Sequence, residues 1–230
     1  MTERSGHYLM LIINKTEVYG WQSAIRGMRN PMNSWEQGDS SYGCENQFCK
    51  DCGFNNNWCG NTVEYKIGEK DYDLMKRLVK AGSDHSKFMR MINVTCDITA
   101  PRYWWIEYDT YKVGTVRNSC STMHKIHAKE FTLDDFSNEH CGGFLGGIVD
   151  TLNGWRDQYC KTKDKEYWYA MIQLLPQSYN QKATVQLNYA VLRNMYHSRK
   201  NHKLDEWHVF CEWIERLPYS ELITMEVKNG

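Results

Sequence analysis

Residues 175–202 read LPQSYNQKATVQLNYAVLRNMYHSRKNH, and this stretch carries the clearest structural pattern in the 230-residue chain. The segment KATVQL predicts a short strand, and Asn188 directly after it is a good N-cap for a helix over 188–198. Four residues spaced i, i+4, i+7 and i+11 share one face of that helix: Asn188, Leu192, Met195 and Arg199. We therefore predict a buried helix face that begins with an amide and ends with a guanidinium.

Arg199 at the end of this face has two interpretations. Burying an unpaired guanidinium is costly, so it must face a carboxylate, a phosphate or solvent. A surface arginine at a helix C-terminus is also favoured by the helix dipole. At a rise of 1.5 Å per residue, Asn188 and Arg199 lie about 16 Å apart. They cannot hold the same small group, but both can contact an extended ligand such as a nucleotide with its cofactor.

Composition sets the broad class of the protein. The chain is 41% hydrophobic and 13% aromatic and has a formal net charge of zero. These values predict a single globular domain over 1–230 and disfavour bulk nucleic acid as a partner. No apolar run approaches the ~18 residues of a membrane span, and the first residues lack a secretory apolar region. Nine cysteines in a chain of this length indicate mostly reduced thiols, so we expect a cytoplasmic protein.

Hydrophobic periodicity predicts elements along the rest of the chain. Strands are expected at 7–14 and 91–99, and helices at 19–29, 71–81, from Ala100-Pro101 onward, 148–159, 164–175 and 204–217. Arg26 and Arg29 are expected on a solvated face of their helix. Mixed strands and helices without a repeat or a linker predict an α/β (α+β) fold.

Residues 34–60 are polar and predict a loop that carries a cysteine cluster. Its members, spaced C-x4-C-x2-C-x6-C, are Cys44, Cys49, Cys52 and Cys59. Four thiolates can hold a tetrahedral zinc ion, although paired knuckles normally supply two C-x2-C pairs and only one is present. A zinc site and a cysteine-bearing loop without metal both remain open.

Residues 175–202 resemble the C-terminal half of the flavin-dependent thymidylate synthase (ThyX) family. Pro176, Asn188 and Arg199 stand at the family's mutual spacings, and His202 lies within one place of a family histidine. Upstream, His85 and Pro101 keep the separation of the family's flavin-contacting histidine from its Ala-Pro helix start. The resemblance covers roughly 7–217 apart from the cysteine-rich insertion. It implies a central, mostly antiparallel sheet flanked by helices, and a homotetramer whose sites combine several subunits.

The resemblance also implies ligands and the residues that bind them. The family reductively methylates dUMP to dTMP using FAD, with methylenetetrahydrofolate and NADPH as co-substrates. The implied substrate-binding residues are Arg199, Ser119, Ser121 and Glu107, the last at a place where the family commonly has Gln. The implied cofactor-binding residues are His85, Asn188 and Lys112.

The chain departs from the family at its Arg-His-Arg motif, where it reads Thr110-Tyr111-Lys112. A hydrogen bond to a charged group is worth about 1.5–3 kcal/mol, so the missing arginines weaken anion binding. One hypothesis is a divergent thymidylate synthase. A second is a non-synthase nucleotide- or flavin-binding protein on the same fold, such as a sensor, a sequestering protein or an enzyme with a changed flavin reaction. A third, an interaction protein with a small metal site, rests on the cysteines alone.

Overall fold

The computed structural model describes residues 11–44, 63–141 and 143–226. The strands are β1 (Ile12–Tyr19), β2 (Ser41–Cys44), β3 (Val63–Lys66), β4 (Asn93–Pro101), β5 (Thr115–Ser119) and β6 (Asn180–Asn188). The helices are α1 (Trp21–Arg29), α2 (Glu69–Lys80), α3 (Arg102–Tyr108), α4 (Thr122–Lys125), α5 (Phe144–Thr162), α6 (Lys165–Leu174), α7 (Tyr189–Arg199), α8 (Asp205–Glu215) and α9 (Glu221–Thr224). A 3-10 helix, Lys87–Met91, precedes β4.

The main sheet has the order β1-β4-β6-β5, with each neighbouring pair antiparallel. β2 and β3 form a separate antiparallel pair. The predicted α/β (α+β) class, with an antiparallel central sheet flanked by helices, is therefore confirmed. No helix within the described ranges is long and apolar enough to cross a membrane.

The core forms on one face of this sheet because β4 and β6 alternate with period two. The side chains that face the helices from these strands are all buried: Val94, Cys96, Ile98, Ala183, Val185 and Leu187. The register sets Val94 opposite Leu187 and Cys96 opposite Val185. Burying each large aliphatic side chain contributes about 1.5–3 kcal/mol, which fixes the register and hence the place where β6 passes into α7.

Aromatic side chains hold α3 against α8. Trp104 and Trp105 are buried, and the ring centre of Trp104 lies 4.9 Å from that of Trp207 on α8. A second hydrophobic cluster lies beneath α5 and α6. Both helices border the C-terminal end of α7, where Glu107 of α3 and Trp207 of α8 contact Arg199.

Two predicted segments differ in the structure. The first strand is β1 rather than 7–14, and residues 7–10 lie outside the described residues. An edge strand can continue through polar residues because one side faces solvent, and β1 pairs with β4 as far as Tyr19 opposite Asn93. In the segment predicted as a loop, residues 41–44 form β2, which pairs with β3.

Arg29 is also placed differently from the prediction of a solvated basic face. It is only 4% exposed, and its Nε donates to Oδ1 of the fully buried Asp71 at 2.7 Å. The chain after α1 folds back over it, so that Arg29 also donates to the carbonyl oxygens of Ser34 and Gln37. A partner 42 residues along the chain leaves no local pattern, whereas Arg26 is exposed as predicted.

Candidate functional site

The start of α7 has the cap that the sequence predicts. Asn188 has extended backbone angles, and its side-chain oxygen accepts a hydrogen bond from the backbone N–H of Val191 at 3.1 Å. Leu192 and Met195 on the predicted face are fully buried. The stripe therefore packs into the core and delivers Arg199 to the far end of the helix.

Arg199 faces a carboxylate rather than open solvent. Its Nη1 lies 2.8 Å from Oε2 of Glu107 on α3, and its Nε donates to the hydroxyl of Tyr111 at 2.9 Å. The guanidinium carbon lies 4.9 Å from the ring centre of Trp207 and 5.4 Å from that of Tyr111. Its side chain is 14% exposed and that of Glu107 is 40% exposed. We call these four residues, Glu107, Tyr111, Arg199 and Trp207, the Arg199 cluster.

The turn after α3 runs back along α7 toward its start. Gly114 has a φ of +78°, and a Cβ added there would lie 3.1 Å from Nδ2 of Asn188. The next residue, Thr115, pairs with Leu187 in the sheet. Lys112 is exposed in this turn. The structure thus brings Glu107, Lys112, Asn188 and Arg199 to one side of α7.

Ser119 and Ser121 lie elsewhere. Ser119 ends β5 opposite Ala183, about 13 Å along the strand from Thr115. Both serines are exposed, and the hydroxyl oxygen of Ser121 caps α4 by accepting a hydrogen bond from the backbone N–H of His124 at 3.1 Å. No hydrogen bond or ion pair among the described residues joins either serine to Arg199.

His85 lies on another surface. It is exposed and borders a cleft of about 920 Å³ whose wall includes Met28, Leu74 and Phe88. Its neighbours Ser83 and Ser86 border a smaller cavity of about 460 Å³ together with His197 of α7. Successive helical residues are rotated by about 100°, so His197 and Arg199 point to opposite sides of α7. In one chain, the His85 loop and the Arg199 cluster thus lie on opposite sides of this helix.

The side of α7 that faces the His85 loop has a structural role. Arg193 donates from Nη1 to the carbonyl oxygens of Leu222 and Ile223, and from Nη2 to that of Met225. These bonds hold α9 against α7. Burial, reinforced by the positive charge of Arg193, lowers the pKa of the His197 imidazole below its ordinary value. The fold therefore favours the neutral form of His197 more than the unfolded chain does.

The cysteine cluster falls largely outside the described residues. Cys44 ends β2, whereas Cys49, Cys52 and Cys59 belong to the range 45–62. Within the part of the chain that the structure describes, no three His, Cys, Asp or Glu side chains are arranged to hold a metal ion.

The sequence interpretation missed the two aromatic members of the Arg199 cluster and Arg117. Tyr111 occupies the middle of the degenerate family motif, and this was the available signal. Arg117 on β5 lies 4.0 Å from the ring centre of Trp105, and its Nη1 lies 2.5 Å from Oδ2 of Asp109. Two carboxylates at the C-terminal end of α3, those of Glu107 and Asp109, therefore each bind an arginine, one on α7 and one on β5.

The residues implied for flavin have suitable chemistry but do not form one cradle in a single chain. An imidazole, an amide and an ammonium group can hydrogen-bond to a flavin ring and its phosphates. However, His85 lies across α7 from Lys112 and Asn188, and the oxygen of Asn188 is already used as the helix cap. A flavin site built from these three residues would need more than one copy of the chain.

Comparison with known proteins supports the fold. No protein-family model and no curated protein matches the chain. Two crystal structures of thymidylate synthase X (ThyX) from Helicobacter pylori with FAD and dUMP do match. The first is 15% identical with a TM-score of 0.64, over 94% of this chain and 98% of that chain. The second is 16% identical with a TM-score of 0.63, over 96% and 100%. The chain thus has the fold of these enzymes, as the sequence predicts.

Proposed function

We propose that this protein is a divergent flavin-dependent thymidylate synthase that reductively methylates dUMP to dTMP in the cytoplasm. Methylenetetrahydrofolate would provide the carbon, NADPH the electrons, and FAD would carry the reducing equivalents. The Arg199 cluster is the observation that supports this proposal most directly. A guanidinium held by a phenol, a carboxylate and an indole at the end of a capped helix is a preorganised donor for a nucleotide.

The implied roles follow from the chemistry of each side chain. Arg199 would donate hydrogen bonds to the nucleotide from N–H groups that its protein partners leave free, and Glu107 would border the same ligand. Ser119 and Ser121 would donate to its phosphate. His85, Asn188 and Lys112 would contact the flavin, so that the protein orients two reactants and excludes water between them.

A complete site on this proposal needs several copies of the chain. The serines lie about 13 Å beyond the turn that contacts α7, and the His85 loop lies across that helix from Arg199. Groups that are separated within one chain can meet where copies pack together. We therefore propose a homotetramer of single-domain subunits, in which one copy supplies Arg199 and another supplies His85.

Binding and turnover by the purified full-length chain test the proposal. We expect visible flavin absorption, calorimetric binding of dUMP, and dTMP formation when folate and reductant are added. Arg199→Gln should weaken dUMP binding by at least tenfold, about 1.4 kcal/mol. Arg216→Gln is the matched control, because Arg216 is 77% exposed and its one ion pair within the described ranges is with the exposed Glu212. Equal dUMP affinity in the Arg199 variant and the wild type would reject the site.

A second candidate function keeps the fold without the synthase reaction. Tyr111 occupies the histidine position of the family motif, and its hydroxyl accepts a hydrogen bond from Arg199. A side chain engaged in this way favours a nucleotide- or flavin-binding protein, such as a sensor, a sequestering protein or a changed flavin enzyme. Tight dUMP binding by a colourless protein that forms no dTMP would support this second function.

The zinc proposal is tested separately. In elemental analysis, a zinc site at the cysteine cluster predicts zinc bound to the wild type and lost after Cys49→Ser with Cys52→Ser, whereas a cysteine-bearing loop without metal predicts no zinc in either protein. Equal zinc content in the two proteins would reject a site at the cysteine cluster.

A further inference from the structure

A separate cavity lies beside the start of α1, and none of the residues implied for substrate or flavin borders it. Its volume is about 630 Å³, which is within the range of small-molecule sites. Its walls come from the end of β1, the first turn of α1, the β2–β3 pair and residues 218–219 after α8. Walls on several sides favour a compact ligand over an extended peptide. We call this space the β2–β3 cavity.

Aromatic residues form much of the wall of the β2–β3 cavity: Tyr19, Trp21, Tyr42, Tyr65 and Tyr219. The ring centres of Tyr42 and Tyr65 lie 5.0 Å apart, with their planes at 71°. Those of Trp21 and Tyr219 lie 5.2 Å apart, with their planes at 67°. In a T-shaped pair one ring points its edge at the other, so its own faces are not covered by that partner. Because nucleobases stack on such faces, the cavity suits a flat aromatic ligand.

The backbone around the cavity adopts uncommon angles that place these rings. Gly20 has a φ of +97°, and a Cβ there would lie 2.1 Å from the carbonyl oxygen of Met91, so the sharp turn from β1 into α1 requires glycine. Tyr219 has a φ of +53°, which is rare for a bulky residue. On the opposite wall, the hydroxyl of Tyr42 donates to Oε1 of Gln22 at 3.3 Å and joins β2 to α1. Uncommon backbone angles of this kind cluster at ligand sites.

Lys66 on β3 supplies a positive charge beside the rings. The residue is exposed, and its side chain crosses Gly43 of β2, where an added Cβ would lie 2.9 Å from Cδ of Lys66. None of the described residues that line the cavity carries a carboxylate. This charge pattern disfavours a cationic ligand, although aromatic rings alone would accept one. It favours a ring that carries a phosphate, since the lysine ammonium group is a common phosphate binder.

We propose that the β2–β3 cavity binds a purine mononucleotide, whose base stacks on Tyr42 and Tyr65 and whose phosphate accepts hydrogen bonds from Lys66. A bicyclic purine covers more of the ring area than a pyrimidine does. The inference goes beyond the proposed function, because it needs neither Arg199 nor a second copy of the chain. The family resemblance does not imply this site, since β2 belongs to the cysteine-rich insertion.

Calorimetry on the full chain with AMP and adenosine tests the site, because these ligands differ only by the phosphate. Tyr42→Leu removes one ring, and Lys66→Gln removes the charge. Tyr169→Leu is the matched ring control, because Tyr169 is 50% exposed against 49% for Tyr42 and also lies 5.0 Å from a neighbouring ring. Lys80→Gln, at an exposed position on α2, is the charge control. Circular dichroism confirms folding, and Lys66→Gln alone decides the outcome should Tyr42→Leu fail to fold.

We expect Tyr42→Leu to weaken AMP and adenosine by the same factor, at least fivefold, because both ligands present the same base for stacking. Lys66→Gln should weaken AMP at least tenfold and leave adenosine unchanged. Both controls should match the wild type. Equal AMP affinity in Lys66→Gln and the wild type would overturn the inference, and so would a wild type that does not bind AMP.

Arg199→Gln separates this site from the proposed synthase site. It should weaken dUMP and leave AMP unchanged. Loss of AMP binding in Arg199→Gln, with normal AMP binding in Lys66→Gln, would place the purine nucleotide at the Arg199 cluster and overturn the inference. A wild type that binds AMP in the expected way but does not bind dUMP would reject the proposed function and support the β2–β3 cavity as an independent site.

Discussion

Asp71→Ala should destabilise the fold severely because Asp71 connects three segments through one buried carboxylate. Its Oδ1 faces the guanidinium of Arg29 on α1, with Nη2 at 2.6 Å. Its Oδ2 accepts hydrogen bonds from the backbone N–H groups of Asp39 and Ser40, both at 3.0 Å, and from the hydroxyl of Ser40 at 2.6 Å. Asp71 itself is fully buried on α2.

The magnitude follows from what the substitution leaves behind. Removing one partner of a buried ion pair costs about 3–5 kcal/mol because the other charge remains buried without compensation. Arg29 is 4% exposed and cannot reach solvent without movement of the chain that covers it. The three donors to Oδ2 also lose their acceptor, which sets the expected cost near 5 kcal/mol, the upper end of this range.

Urea unfolding followed by circular dichroism measures this cost as a change in midpoint at constant slope. Asp73→Ala on the same helix is the matched control, because Asp73 is 67% exposed and, among the residues that the structure describes, pairs with Lys76 alone. It should change the free energy of unfolding by about 0.5 kcal/mol or less. In a double variant, Arg29→Met with Asp71→Leu, part of the stability should return because no unpaired charge remains.

The pair also fixes the wall of the cleft beside His85, since Arg29 and the chain that covers it border that cleft. A loss below about 1 kcal/mol on Asp71→Ala, or a double variant no more stable than the single one, would refute the reasoning. Either result would mean that the carboxylate and guanidinium are compensated by solvent or by other groups in the folded state.

Other predictions concern α7 and its surroundings. Gly114→Ala should cost about 1–2 kcal/mol in unfolding free energy, because its φ is +78° and an alanine there adopts it only with strain. Asn188→Ala should cost about 1 kcal/mol by thermal unfolding, whereas Asn188→Asp keeps the cap acceptor. Because the pKa of His197 is lowered from 6.5 in the fold, the unfolded chain binds more protons. The contribution of His197 to the free energy of unfolding should therefore be fully present above pH 6.5 and be lost as the pH falls below it. In urea titrations at several pH values, His197→Gln should remove this part of the pH dependence. Burial raises the pKa of the Cys211 thiol to about 11, so iodoacetamide at neutral pH should label the exposed Cys120 before Cys211, as mass spectrometry will detect.

Elements with a strong local pattern could be predicted from the sequence. The boundaries of α7 and the buried side of β4 follow from hydrophobic periodicity, and both agree with the structure. β5 was not predicted because it is an edge strand of mostly exposed polar residues, TVRNS, and forms only by pairing with β6. Pairing with β6, rather than a local sequence pattern, therefore determines that β5 forms. This strand connects the turn near the Arg199 cluster to Ser119.

The partners of candidate residues were the hardest part to predict. The sequence requires Arg199 to face a carboxylate, a phosphate or solvent, but it does not identify Glu107, which lies 92 positions earlier, as that carboxylate. Contacts of this kind depend on how α3, α7 and α8 pack, and a single sequence contains no local trace of them. The spacing of Asn188 and Arg199 predicted that they share one face of the helix. The packing of α3 and α8 determines which residues contact Arg199 on that face.

The two main departures from the family near Arg199 act on the same guanidinium. Glu107 stands where the family commonly has Gln, Tyr111 stands at the histidine of its motif, and both bind Arg199 directly. Of the three motif positions only Lys112 carries a charge, and it is exposed rather than packed into the Arg199 cluster. Without Glu107 and Tyr111, the guanidinium of Arg199, whose side chain is only 14% exposed, would be a largely buried cation without these partners, which is costly. Instead, the carboxylate of Glu107 and the phenol of Tyr111 both bind the guanidinium of Arg199. Glu107 and Tyr111 therefore hold Arg199 in place at the end of α7, and Glu107 offsets its positive charge.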